Sequence, residues 1–537
     1  MTYASVKQIS VSIKRFALII LASVIGLSGL GIWNFQASAS QGAGVDNLKQ
    51  TIDAILADPR LNGAQASVLV RAADDGEVLY SRNPSTLLIP ASNNKLYSSS
   101  AAMQALGADH TFETSIAFTG ALRAGILSGD LYLKGTGDPT MQAADYDKLA
   151  TDLAAKGVKL ITGKLIADDT FFDDRQLGYN WGWDSNPFYY QPEISALTIA
   201  ANSKYDINAL NVEVRPGVVG RPAQVGTNPG TNFVTLQNEA TTGPAGSEDT
   251  LSVERKLGVN TIVVKGNIPA GSPMQSVIST VSDPTGYAAT TFRDALARHG
   301  ITLLDKGIER KGTPANAQKL LSHQSAPLSS ILAPYLKLSN NGIAEILVKT
   351  MGKKMHEQGN WQNGLEIELG QLEQNLGVDT NKLQFVDGSG LSNVNFTTPQ
   401  LTTDLLIAVQ SKPWFNTWYN SLPIAGNADP LVGGTLRSRM RNTPAANNVH
   451  AKTGSLDSVS ALSGYVTTAD GERLVFSVME NNYIASSVKP LEDAIATTLA
   501  SFSRNSGVSR MALVPQLLEK TDAKDSGLEC SWTKEGC

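Results

Sequence analysis

Cysteine is almost missing from this chain of 537 residues: the two present, Cys530 and Cys537, stand close together in the polar tail GLECSWTKEGC. A core held by disulfides is thereby excluded, and with no histidine or third cysteine beside the pair a zinc site is not expected there either. In an oxidising exterior the two could close a short loop worth about 2.5 kcal/mol at most, which would order the tail rather than the body. Charge is also sparse, 17% of residues against 42% hydrophobic, with a formal net charge of −5 and no block of lysine or arginine. Phosphate binding needs a concentrated basic surface, so no nucleic-acid partner is expected. One stretch, His356-Glu357, begins like a zinc-protease motif but has Asn360 where a second histidine is required, and no metal site is expected from it. The chain shows no internal repeat.

What is present describes a globular protein too long for one core, and a prior of roughly 150 residues per domain gives about three domains. Near the start, Lys7, Lys14 and Arg15 precede an apolar run from Phe16 to Trp33, and Ala37 and Ala39 follow in QASAS. That order of basic, apolar and small residues predicts an export signal over 1–39. The run also reaches the lower limit for crossing a bilayer, so a retained membrane anchor at 16–33 is the alternative. Either way the protein is expected to be exported and to work outside the cytoplasmic membrane, in a periplasmic or other extracytoplasmic space.

Beyond the leader, GAQASVLVRAADDGEVLYSRNP alternates apolar and polar residues around the turn DDG, which predicts a hairpin. KLYSSSAAMQALG predicts a helix ended by Gly107. From 109 to 317 short β-like runs such as GDLYLKG, NALNVEVRPG and NTIVVKGNIP alternate with Gly, Pro, Asn and Thr turns, predicting one or two small β-rich or α+β domains. Helical texture returns from SSILAPYLKLSNNGIAEILVKTMGKKM through TTPQLTTDLLIAVQ. NVHAKTGSLDSVSALSGYVTTADGERLVFSVMEN then predicts three antiparallel strands, the second turned into the third at Asp470-Gly471. KPLEDAIATTLASFS predicts a closing helix. The expected architecture is α+β, with a discontinuous core of 45–108 and 318–505, an insertion at 109–317 and a tail at 506–537.

Three short motifs carry chemistry. In IPASNNKLYSSSAAM, Ser92 precedes Lys95 by three positions at the head of the predicted helix. Serine is a favoured helix starter and lysine an ordinary helix residue, and the same spacing recurs at Ser486 to Lys489 and Ser531 to Lys534. The second motif, Ser339-Asn340-Asn341, lies between two helical runs, where such residues also make turns. The third, Lys452-Thr453-Gly454, sits on a predicted strand and occurs once; glycine inside a strand usually marks a close backbone approach by something else. Jointly, on a helix start, an interhelical turn and a strand, they form the signature set of penicillin-binding proteins and serine β-lactamases.

A serine hydroxyl needs a neighbouring base, and a lysine one turn along a helix lies on the same face. Such a lysine must act as the neutral amine, and burial or a second ammonium such as Lys452 lowers its proton affinity. Ser339 could relay a proton to the leaving amine. Asn341 can hold a substrate amide, Thr453 and Lys452 can meet a substrate carboxylate, and the backbone N–H groups of Ser92 and Ser455 could form an oxyanion hole.

Ser92 and Ser339 are 247 residues apart, and Ser339 and Lys452 are 113 apart, which leaves room for an intervening domain pair that a compact β-lactamase lacks. The chain resembles the class C low-molecular-mass penicillin-binding proteins, the D-alanyl-D-alanine carboxypeptidase/endopeptidase family of the penicillin-binding protein 4 type. The resemblance covers most of the chain beyond the leader, through GTGDPTM (Gly135 to Met141), YYQPEISALTIAANS (Tyr189 to Ser203), DGSGLS (Asp387 to Ser392), GGTLRSRM (Gly433 to Met440) and HAKTGSL (His450 to Leu456).

It implies a serine peptidase that acts on peptidoglycan stem peptides without metal or organic cofactor, is acylated by β-lactams, and carries two domains inserted between its first and second motifs. By position, Ser92 would be the acylated nucleophile, Lys95 its proton acceptor and Ser339 the relay; Asn341, Lys452, Thr453 and Ser455 would bind substrate. The rival expectations are a β-lactamase-like hydrolase and a non-catalytic wall-binding or sensor protein. Asp387 is expected to form a turn, His450 to be structural, and the aromatic cluster NWGWDSNPFYY to pack domains or line a glycan path.

Overall fold

The structure, a computed structural model, describes residues 43–508. The expected leader or anchor at 1–39 and both tail cysteines lie outside the described residues. Among the described residues no helix is long and apolar enough to cross a membrane.

The first and last parts of the chain meet in one antiparallel sheet. Strands β1 (Gln65–Ala72) and β2 (Val78–Arg82) form the predicted hairpin, and β3 (His450–Leu456), β4 (Val459–Thr467) and β5 (Arg473–Asn481) form the predicted C-terminal trio. Their order is β3-β4-β5-β1-β2, with β5 beside β1 and β3 at an edge. Alternation assigns the faces. Val68 and Val70 of β1 and Phe476 and Val478 of β5 pack with Ile52, Leu491 and Ile495 in one apolar cluster. That layer is supplied by the helical residues 43–56 and by the closing helix Lys489–Ala500.

Register decides what faces the other way. Phe476 pairs with Gly464 and Gly464 with Ala451, whereas Ser477 pairs with Ser463 and Ser463 with Lys452. Residues directly opposite one another share a face, so Lys452 points away from the apolar layer and a slip of one residue would bury it there.

That second face carries the helices α1 (Asn94–Ala105), α2 (Leu328–Lys337), α3 (Asn341–His356), α4 (Trp361–Leu376) and α5 (Pro399–Val409). Their ends follow from local chemistry. Asn340 caps α3 through the Ile343 N–H, Asn360 caps α4 through that of Asn363, and Thr398 caps α5 with Pro399 in its first turn. Gly377, at φ +66°, ends α4. Helix α1 is unusual: NKLYSSSAAMQA has little apolar bias, yet Asn94 through Met103 are buried. Its serines are satisfied instead by hydrogen bonds, such as Trp418 Nε1 to Ser99 Oγ at 2.7 Å and Ser98 Oγ to Tyr335 Oη at 2.7 Å.

The stretch between α1 and α2 builds separate sheets. A five-stranded sheet runs in the order Ile308–Arg310, Leu165–Asp168, Leu131–Gly135, Glu113–Phe118 and Gln318–Gln324. Within this span, strands from Ala209 to Thr280 form two three-stranded sheets of their own. Two helices, Ala143–Ala155 and Pro284–Arg298, pack among them. The last strand differs from the expected boundary at 317: Gln324 pairs with Glu113, so the ladder holds 318–324 with the insertion. Entry and exit therefore lie side by side. The core likewise runs past 505, because Phe502–Ser503 pairs with Gly507–Val508 and the Val508 N–H donates to Asn47 Oδ1 at 2.8 Å.

One buried ion cluster joins the closing helix to the GGTLRSRM segment. Arg439 donates to Glu492 Oε2 at 2.7 Å and to Asp493 Oδ1 at 2.8 Å, while Ser460 Oγ donates to Glu492 Oε1 at 2.6 Å. Arg439→Met leaves the fully buried Glu492 without its counter-charge. It is expected to lower unfolding free energy by about 3–5 kcal/mol, measured as a shift of the urea midpoint at unchanged slope.

Candidate active site

Ser92 sits in a single 3-10 turn, Ala91–Asn93, that runs directly into α1. The turn is fixed from both sides: Asn93 Nδ2 donates to Ser463 Oγ at 2.8 Å, and Asn94 Nδ2 donates to the Asp387 carbonyl at 2.8 Å. Ala91 adopts φ +45°, an uncommon conformation for a residue with a Cβ. Lys95, one turn on, is wholly buried. Its Nζ lies 2.9 Å from Ser92 Oγ, 2.6 Å from Asn341 Oδ1 and 2.8 Å from the Ser389 carbonyl oxygen.

The second motif occupies the break between α2 and α3, where Ser339 takes φ +55°. Ser339 Oγ accepts from Lys452 Nζ at 2.8 Å, and Lys452 Nζ also donates to the Thr453 carbonyl at 2.9 Å. Lys452 is wholly buried as well. Thr453 Oγ1 lies 2.8 Å from Thr435 Oγ1, and the buried Ser455 Oγ has no hydrogen-bond partner among the described residues. The structure thus brings all seven expected residues together, Ser92, Lys95, Ser339, Asn341, Lys452, Thr453 and Ser455. Ser92, Ser339, Asn341 and Ser455 line a cleft of about 630 Å³.

The close approach expected at Gly454 is the chain's own. A Cβ there would stand 2.5 Å from the Pro90 carbonyl oxygen and 3.2 Å from the Asn93 nitrogen. Strand β3 and the Ser92 turn touch through backbone alone, which the missing side chain permits.

Further neighbours complete the site. The inserted domains supply one wall of the cleft through Tyr189, Tyr190, Pro192, Asp206 and Ile207. SNNG secures that wall: Asn340 Nδ2 donates to the Tyr205 carbonyl and Asn341 Nδ2 to the Tyr190 carbonyl, each at 2.7 Å. Gly342 lets Ile207 approach, since a Cβ would fall 2.5 Å from Ile207 Cγ1. The aromatic cluster therefore does both packing and lining. Asp387 is a turn former, as expected: its carboxylate accepts from the N–H groups of Gly390 and Ser392 and from Asn395 and Trp181. His450 stacks on Tyr419 at 4.2 Å, and burial pulls its imidazole down to about 4.

Comparison with known proteins agrees with this geometry. The chain belongs to the D-Ala-D-Ala carboxypeptidase 3 (S13) family, whose pattern matches residues 48–502. It is 42% identical over 527 residues to a D-alanyl-D-alanine carboxypeptidase of Actinomadura sp. (strain R39), covering 97% of this chain and 96% of that one. Over 428 residues it is 28% identical to D-alanyl-D-alanine carboxypeptidase DacB of Haemophilus influenzae, covering 78% and 86%. The crystal structure of penicillin binding protein 4 from Haemophilus influenzae superposes with a TM-score of 0.72 at 25% identity, over 85% of this chain and 98% of that one. The same protein complexed with a β-lactam superposes at 0.66 and 24% identity, with the same coverage.

Two glycine substitutions test the contact at Gly454. Gly454→Ala forces β3 off the Ser92 turn and is expected to cost about 1–3 kcal/mol. Gly370→Ala, inside α4 with open space around it, is expected to stabilise by about 0.4–1 kcal/mol. Urea denaturation of both against the wild type checks the opposite signs.

Proposed function

We propose that the protein is a serine D-alanyl-D-alanine carboxypeptidase/endopeptidase that cleaves peptidoglycan stem peptides through an acyl-enzyme on Ser92. The observation that carries this is the set of contacts around Lys95 Nζ. A neutral amine has two N–H donors and one lone pair. Donating to Asn341 Oδ1 and to the Ser389 carbonyl leaves the lone pair for the Ser92 hydroxyl proton, which is the arrangement a general base requires.

In the first step Ser92 Oγ attacks the carbonyl carbon of the scissile D-Ala peptide bond while its proton passes to Lys95. The tetrahedral intermediate collapses with loss of the C–N bond, and the proton that Lys95 accepted passes through Ser339, itself hydrogen-bonded to Lys452, to the leaving amine, which returns Lys95 to the neutral form. Water then attacks the ester, its proton returns through Lys95, and Ser92 is regenerated with release of the shortened peptide. The backbone N–H groups of Ser92 and Ser455 are assigned to the oxyanion. Lys452, Thr453 and the unpartnered Ser455 hydroxyl are assigned to the terminal carboxylate, and the Asn341 amide to the peptide.

β-Lactams would acylate the same serine, as the complex of the Haemophilus influenzae protein supports. The domain division belongs to this reading: a peptidase core of 45–108 and 325–508, with the inserted domains of 109–317 extended by strand Gln318–Gln324 and walling the substrate path. An extracytoplasmic workplace follows from the substrate, with the segment 1–39 as export signal or 16–33 as anchor, and periplasmic location as the finer form of the proposal.

Mass spectrometry after incubation with labelled penicillin should place the adduct on Ser92, and a pentapeptide ending in D-Ala-D-Ala should release D-Ala. Ser92→Ala is expected to abolish both; retention of either by a folded variant rejects the assignment. Hydrolysis of the penicillin adduct within seconds would instead mark a β-lactamase.

A further inference from the structure

Helix α3 brings a second polar group to the buried side of the site. Glu345, one turn after Asn341 and on the same face, is wholly buried. Its Oε1 accepts from the Ser389 N–H at 2.8 Å, and its Oε2 from the Gly388 N–H at 3.0 Å and from Trp361 Nε1 at 2.7 Å. The carbonyl of Ser389 is the one that meets Lys95 Nζ, while that of Gly388 accepts from Ser98 Oγ of α1 at 2.8 Å. Gly388 has no room for a side chain, since a Cβ would lie 2.5 Å from Val348 Cγ2. The turn is thus held from α3 by its N–H groups and from α1 by a carbonyl.

We propose that Glu345 is a positioning residue for Lys95, aiming the Ser389 carbonyl at the amine by clamping the two N–H groups of the Gly388-Ser389 turn. The proposal rests on the reading of Ser92 as nucleophile and Lys95 as base. One helix then sets two of the groups around Nζ: Asn341 directly, and Ser389 through Glu345. A carboxylate suits the place because three donors converge on it. Glutamine would turn its own NH₂ toward one of them and leave a buried donor unmatched.

The surroundings bear on its charge. Lys349 on the same helix, Glu368 on α4, Asp387 in the turn and Tyr335 on α2 all interact with it electrostatically. Burial, and then the Asp387 charge, push the Glu345 carboxyl up to about 7 against the pull of its donors. Burial holds Glu368 well above the ordinary carboxylate range. An anion behind the Ser389 peptide, together with the negative end of its carbonyl, favours the ammonium form of Lys95 over the amine. Removing that anion moves the loss of the Lys95 proton to lower pH.

The test is the rate of acylation by labelled penicillin from pH 5 to 10, with the thermal midpoint measured in parallel, for wild type, Glu345→Gln and Glu345→Asp. Glu345→Gln is expected to be slower on the plateau by about 10–100-fold, with its acid limb displaced to lower pH. Glu345→Asp keeps the charge but falls a methylene short of the clamp, so it slows while its limb stays near that of wild type. A lower thermal midpoint with unchanged plateau rate and limb would show a purely structural role and overturn the proposal. If Glu345→Gln does not fold, a wild-type plateau rate in folded Glu345→Asp overturns it equally. Absence of Ser92 acylation in the wild type removes the functional reading and this proposal together; unaltered variants beside an acylated wild type remove this proposal alone.

Discussion

The constraint on which the rest of the structure depends is the burial of one amine. Lys95 is closed off from water, and an ammonium or amine so placed is tolerable only where acceptors surround it. The hydrogen-bond partners come from three separate parts of the chain: Ser92 from the turn that leads into α1, Asn341 from the start of α3, and Ser389 from a turn held by Asp387 and Glu345. Each must arrive at hydrogen-bond distance, so the chain between 92 and 389 has to fold around a point. A second wholly buried lysine, Lys452, imposes the same demand on the sheet and is answered by Ser339. The active centre is therefore also a folding constraint, assembled from polar contacts that a uniform apolar core would not specify.

Much of this was legible in the sequence, and for physical reasons. The hairpin at 65–82 and the three strands at 450–481 announce themselves by alternation and by their turns, because one face of the sheet is an apolar layer and the period of a strand is two. Helices α3, α4 and α5 begin at Asn340, Asn360 and Thr398, residues that cap by side chain. Ser92, Lys95, Ser339 and Lys452 were identifiable because their three motifs fall on a helix start, an interhelical turn and a strand, the elements that the proposed chemistry requires. The resemblance carried by longer motifs such as DGSGLS and HAKTGSL supplied the family and the expectation of inserted domains.

What escaped was whatever depends on distant backbone. Ser389 acts through a carbonyl, which every residue has, so nothing in its identity marks it. Glu345 reads as an ordinary helix residue until Trp361 and the 388–389 turn are seen to converge on it. The strand at 318–324 was grouped with the core because its polar sequence, QKLLSHQ, shows no preference between the two bodies; only its pairing with Glu113–Phe118 decides. Helix α1 hid its burial for a similar reason, since serine and alanine at every face look like a surface helix when the groups that satisfy them, Tyr335, Trp418 and Gly388, lie hundreds of residues away.

The Asn341 amide joins two bodies of the protein in one planar group. Its oxygen faces Lys95 and its nitrogen grips the Tyr190 carbonyl of the inserted lobe, and the plane cannot rotate for one without turning away from the other. Any tilt of the lobe, whether from a bulky polymer pressing on its outer surface or from thermal rocking, is therefore felt as torque at the amine itself. The lobe and the proton acceptor are geared to each other through a single side chain.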